Sequence, residues 1–120
     1  MSIEKDVLIL AKSKKYNNYC IAGCDINNHE LVRIVSNNPA IHYSVPRSDT
    51  IMSNTNSEAE LLDIIRVNVK KVSPPKDNPH QVENWEYDPR VKWLKLKSIT
   101  LNEIPQSCYS QDDMLFFNTK

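Results

Sequence analysis

The chain has 120 residues, 40% hydrophobic and 25% charged, an ordinary globular composition at single-domain length. Lysine plus arginine and aspartate plus glutamate number 15 each, so net charge is zero with histidine neutral; this argues against a dedicated duplex-DNA binder, which usually carries a basic excess. The only glycine is Gly23, which excludes the glycine-rich phosphate loops of dinucleotide and P-loop folds, since those need several glycines to bring backbone to phosphate.

In chain order, Val7-Leu8-Ile9-Leu10-Ala11 is a short apolar run between charges and reads as a strand buried on both faces. Lys12 to Asn18 is polar, with a turn expected at Asn17-Asn18. Tyr19 to Ile26 reads as a second strand, with Cys20, Ala22, Cys24 and Ile26 on one face and Tyr19, Ile21, Gly23 and Asp25 on the other, because strand side chains alternate. Asp25 to Glu30 is a turn signal, and Leu31 to Ser36 a third strand. Residues 5–36 therefore predict a three-stranded meander. Asn37 to Ser57, with Pro39 and Pro46, shows no period and reads as a long loop, a feature often functional or mobile. Ser57 and Glu60 suggest a capped helical turn.

Leu61 to Val72 predicts a long strand with Ile65, Val67 and Val69 on one face and Ile64, Arg66, Asn68 and Lys70 on the other. Ser73 to Pro79 is a proline-rich connector. His80 to Tyr87 reads as a short strand or extended segment, and Val91 to Ile99 stays open between strand and helix. Thr100 and Glu103 suggest a capping box on a short helix, and residues 112–117 a tail element. Strands dominate and no long helices alternate with them. The expectation is one mainly β domain over residues 1–120, a small antiparallel barrel or curled sheet with short helices, a long loop and C-terminal elements over 80–117.

The N-terminus is charged and no apolar stretch approaches the roughly 20 residues of a membrane span. A cytoplasmic, reducing location follows as an expectation, with Cys20, Cys24 and Cys108 as free thiols. One Cys-x-x-x-Cys pair, even with His29 or His42, is less than structural zinc sites use, so no metal and no cofactor is expected.

Three ordered segments carry a family resemblance. Leu8-Ile9-Leu10-Ala11-Lys12-Ser13-Lys14-Lys15, Tyr19-Cys20-Ile21-Ala22-Gly23 and Leu31-Val32-Arg33-Ile34-Val35-Ser36 resemble the dual OB-containing domain family. Gln81-Val82-Glu83-Asn84-Trp85 is similar to its later Glu-Asn-Trp element, so the likeness spans about residues 5 to 90. The resemblance implies an oligonucleotide/oligosaccharide-binding-type barrel and a nucleic-acid role, partly in mobile-element and host-defence contexts. Two barrels want more chain than 120 residues, so one barrel with added elements is expected.

Several residues fit such a role. Lys12, Lys14 and Lys15 beside Tyr16 combine cations with an aromatic ring, as single-strand grooves do; a solvated loop is the plainer reading. Arg33, between Leu31 and Val35, is read first as an internal ion pair with Asp25 or Glu30, because an unpaired buried charge is costly. A phosphate contact is its alternative. Asn84 and Trp85 could bind and stack a base, although a large aromatic more often plugs a barrel. Arg90, Lys92, Lys95 and Lys97 around Trp93 form a second basic-aromatic cluster.

No paired-carboxylate or Ser/His/Asp pattern stands out, so no enzymatic activity is expected. A cysteine nucleophile beside His29, His42 or His80 is the minor enzymatic alternative. The leading expectation is a binding module for single-stranded DNA or RNA, or a nucleotide-like ligand, through Lys12, Lys14, Lys15, Tyr16, Arg33, Asn84 and Trp85. The rival is a protein-binding inhibitor or adaptor, encoded by a phage or mobile element, that blocks a host defence enzyme. Zero net charge suits the rival slightly better.

Overall fold

In the computed structural model the described residues are 2–15, 17–72 and 84–105. They form seven strands: β1 (Ile3–Lys15), β2 (Asn18–Asp25), β3 (Leu31–Val35), β4 (Val45–Pro46), β5 (Asp63–Val72), β6 (Asn84–Tyr87) and β7 (Leu94–Ser98). Five of them close on themselves in the order β1-β2-β3-β6-β5 and back to β1. All these pairings are antiparallel except β3 with β6, which is parallel. β4 adds to β2 and β7 to β5. This is a small barrel of the OB type. The expected meander is present as β1, β2 and β3.

Closure starts in β1. Residues 3–8 pair with β5, while residues 7–15 pair with β2. One strand can serve both neighbours because the register slips between Ile9 and Ala11, a bulge that bends the strand. Gly23 sits opposite Ile9 at this bend. A Cβ at Gly23 would lie 2.0 Å from the Leu8 carbonyl oxygen, so only glycine lets the strands approach this closely.

Both faces of the Val7–Leu10 run are buried, as expected. Val7 and Ile9 join the main core with Ile21, Val32, Ile34, Ile65, Val67, Val69, Tyr87 and Trp93. Leu8 and Leu10 enter a second cluster outside the barrel with Cys24, Ile64 and Ile104. Ile65, Val67 and Val69 share the inner face of β5, as their spacing predicts.

Several expectations are corrected. The polar run Lys12 to Lys15 continues β1, while the turn falls at Asn17, whose φ is 67°, as the sequence predicts. No α-helix occurs among the described residues; Pro39–Ile41, Arg47–Thr50 and Leu101–Glu103 are 3-10 turns. The expected capping box does form at the last of these, where the Thr100 amide donates to Glu103 Oε1 at 2.8 Å. Ser57–Glu60 opens no helical turn, because Glu58 instead bridges back to Ile51.

The segment between β3 and β5 is not a loose loop. It sends Val45, Met52 and Ala59 into the main core. Tyr87 donates its hydroxyl to Asp49. The Asn54 amide donates to the Lys95 carbonyl at 2.8 Å and accepts from the Lys95 amide at 3.0 Å. Cys20 is free, as expected, but Cys24 is disulfide-bonded, a pairing that spacing along one strand cannot reveal. The connector at 73–79 and the tail element at 112–117 lie outside the described residues. No helix among the described residues is long and apolar enough to cross a membrane.

Candidate functional site

The barrel's register sorts the expected binding residues onto different surfaces. Without the bulge, Lys12 would follow Leu8 and Leu10 onto the outer face. The extra residue reverses the alternation. Lys12 thus stands opposite Ile21, on the main-core face, with its side chain 8% exposed. Its ammonium lies 3.1 Å from Glu58 Oε1 and 3.3 Å from Glu60 Oε1, and 4.3 Å from the Tyr19 ring centroid. Glu58 also accepts from the Tyr19 hydroxyl at 2.8 Å and from Arg47. The Tyr19 hydrogen bond, with Arg47 and Lys12 behind it, holds the Glu58 carboxyl down at about 2 against the opposing effect of burial. Lys12 is thus committed to a structural cluster and is not a free phosphate contact.

Lys14 is exposed near the end of β1. Lys15 pairs through its backbone with Asn18, and Tyr16 lies outside the described residues. Trp85 packs on the main core, with the Lys5 ammonium 4.4 Å from the centroid of its indole. The plug reading of Trp85 fits this placement better than a stacking platform does. The second basic-aromatic cluster does not assemble: Trp93 is fully buried, Arg90 grips Asp88 at 3.0 Å, and Lys95 lies 3.5 Å from Asp63.

Arg33 and Asn84 are brought together. They are register partners on the parallel β3–β6 pair, and neighbouring strands run about 4.8 Å apart. Arg33 also faces Ala22 on β2, on the barrel's outer surface with Cys20. The expected ion pair of Arg33 does not form. Asp25 is taken by the Lys5 ammonium at 2.5 Å, and no carboxylate among the described residues pairs with Arg33. Both residues line a cavity of about 50 Å³, together with Tyr19, Cys20, Ile34, Val35, His42, Tyr43 and Ser44. Asn84 is buried, and its amide oxygen has no hydrogen-bond donor among the described residues.

Tyr43 escaped sequence reasoning, and His42 entered it only as a zinc or cysteine partner, not as part of a binding surface. Both adopt left-handed backbone, φ 56° and 61°, uncommon for side chains this large. Hydrogen bonds hold them there: the Tyr43 amide donates to the Asn38 carbonyl at 3.0 Å, and the Ser36 amide donates to the Tyr43 carbonyl at 2.9 Å. The Asn-Asn-Pro sequence at 37–39 was the available signal, since Asn38 caps the turn that follows.

A family model for the dual OB-containing domain matches residues 5–120. The chain belongs to this family. No curated protein and no solved structure matches it. OB barrels as a class take oligonucleotides and oligosaccharides on the face of strands 2 and 3 and on the loops beside it. In this dual OB-containing domain that face carries Arg33, and β6 extends it with Asn84. Among the described residues, no group of three or more His, Cys, Asp or Glu side chains is placed to hold a metal.

A second cleft, of about 380 Å³, lies between Ser2, Asn37, Lys70, Glu86, Tyr87, Asp88, Pro89 and Arg90. Its charges are matched within the protein, Lys70 with Glu86 at 3.8 Å and Arg90 with Asp88. It therefore offers no net charge to a ligand.

Proposed function

We propose that this chain is a non-enzymatic module that binds single-stranded nucleic acid, or a nucleotide-like ligand, on the outer face of β2, β3 and β6. The observation that carries this reading is Arg33: a guanidinium with no carboxylate partner among the described residues, beside a cavity on the surface that OB barrels use. Lys14 and Lys15 supply cations at the end of β1, where they neutralise phosphate. Zero net charge does not oppose the reading, because a local basic edge suffices for single strands.

The test is fluorescence anisotropy with labelled single-stranded RNA, single-stranded DNA and duplex DNA over a salt titration. Single strands are expected to bind, with a log–log salt slope of about −0.7 for each phosphate contacted. The double substitution Lys14→Glu/Lys15→Glu is expected to weaken binding and flatten that slope. Absence of binding to every probe at low salt would overturn the reading and direct the search to a protein partner.

A further inference from the structure

Resting on that reading, we infer that the cavity between β3, β6 and the 42–44 turn is a base-reading subsite, and that it takes the edge of a guanine from the bound strand. The argument turns on what the two polar walls demand. The Arg33 guanidinium presents donors only and has no carboxylate partner among the described residues. Asn84 contributes an amide oxygen that is buried with no donor among the described residues. A phosphate would answer Arg33, but it brings only acceptors and would leave that oxygen unmatched. The cavity therefore calls for a group carrying acceptors and donors side by side.

Guanine meets the demand. Its O6 and N7 match the planar fork of an arginine, the commonest base-specific contact arginine makes. Its N1–H lies next to O6, with the exocyclic amine beyond it on the same edge, and both supply donors for Asn84. A half-turn of the amide, whose terminal torsion is broad and roughly two-fold, carries the oxygen to the cavity side. Adenine sets its amino group where Arg33 needs an acceptor. The volume, about 50 Å³, suits an edge rather than a whole nucleotide. Tyr43, 45% exposed at the rim, offers the ring on which the rest of the base stacks. Arg33 then reads sequence, and the lysines at the end of β1 hold phosphate.

The experiment uses labelled 12-mer oligothymidylates carrying one central guanine, inosine, 7-deazaguanine, adenine or cytosine, in DNA and RNA sugars. Guanine is expected to bind about tenfold tighter than adenine, as a bidentate base contact allows. Loss of N7 in 7-deazaguanine should remove most of that preference. Arg33→Lys keeps the charge and loses the fork, so it should abolish the preference and leave the salt slope unchanged. Asn84→Leu, checked for folding by thermal melting, should do the same. Alkylation of Cys20, which lines the cavity, should slow when the guanine oligomer is bound. Salt-dependent binding that ignores the central base, or that favours cytosine or adenine, overturns this inference and leaves the nucleic-acid reading standing. No binding of any oligomer overturns both.

Discussion

At Gly23 a single missing methyl group lets a strand bend. A Cβ there would lie 2.0 Å from the Leu8 carbonyl oxygen, 2.9 Å from its carbon and 3.0 Å from Val7 Cγ1. The first two are backbone atoms, which cannot swing aside as a side chain does. Gly23→Ala is therefore expected to destabilise the barrel by about 3 kcal/mol, the upper end of ordinary overpacking costs. Urea unfolding checks it, and an unchanged midpoint would show that β1 can retreat without loss. The Lys5–Asp25 pair is a second constraint at this scale. Both groups are buried, and Asp25 also accepts from the Asn27 amide at 2.8 Å. Desolvation offsets much of the attraction in such a buried pair, so it adds little net stability.

The element that most changes its meaning in three dimensions is the crossing from β3 to β5. Along the chain it is a proline-bearing polar loop. Folded, it is bolted at Tyr19, Tyr87 and Lys95 and contributes core side chains. Glu58 is its principal fastening, and the charge on Glu58 makes the fastening pH-dependent. The folded carboxyl titrates at about 2, below its ordinary value of about 4.5. A depressed folded value means that the stabilisation is complete above the unfolded value and is lost as pH falls through the folded one. Stability should therefore decline between roughly pH 4.5 and pH 2 through this residue. Glu58→Gln should cost about 2 kcal/mol at pH 7, the scale of hydrogen bonds to a charged group, and should flatten the acid limb. Urea titrations of both proteins across the acid range and up to neutral pH test this; parallel acid limbs would place the sensitivity elsewhere.

For the whole molecule, closure depends on contacts between distant parts of the chain. Ile3 pairs with Val69 and Leu8 with Ile64, while β3 must find β6 in parallel across the whole intervening segment. Chains dominated by such pairings fold slowly, because loop-closure entropy is lost before the contacts form. Refolding is expected on the millisecond-to-second scale. Stopped-flow tryptophan fluorescence can follow it, since Trp93 is fully buried and Trp85 packs on the same core. Microsecond refolding would contradict folding limited by pairings this distant.

Local order is legible along the chain. Alternation places Ile65, Val67 and Val69 on one face of β5, the unbroken apolar run Val7–Leu10 marks a strand buried on both sides, and Asp25–Glu30 carries the chemistry of a turn. Each follows from the two-residue period of a strand or from turn residues, which neighbours along the chain decide. Where the charged side chains end up is settled only by the folded barrel. One bulged residue reverses the alternation after Ile9 and turns Lys12 inward to Glu58. Lys5 claims Asp25, one of the two carboxylates Arg33 was expected to pair with, and the parallel β3–β6 pair sets Arg33 beside Asn84. These outcomes depend on register and on partners far away in the chain, and a shift of one residue exchanges the faces of a strand.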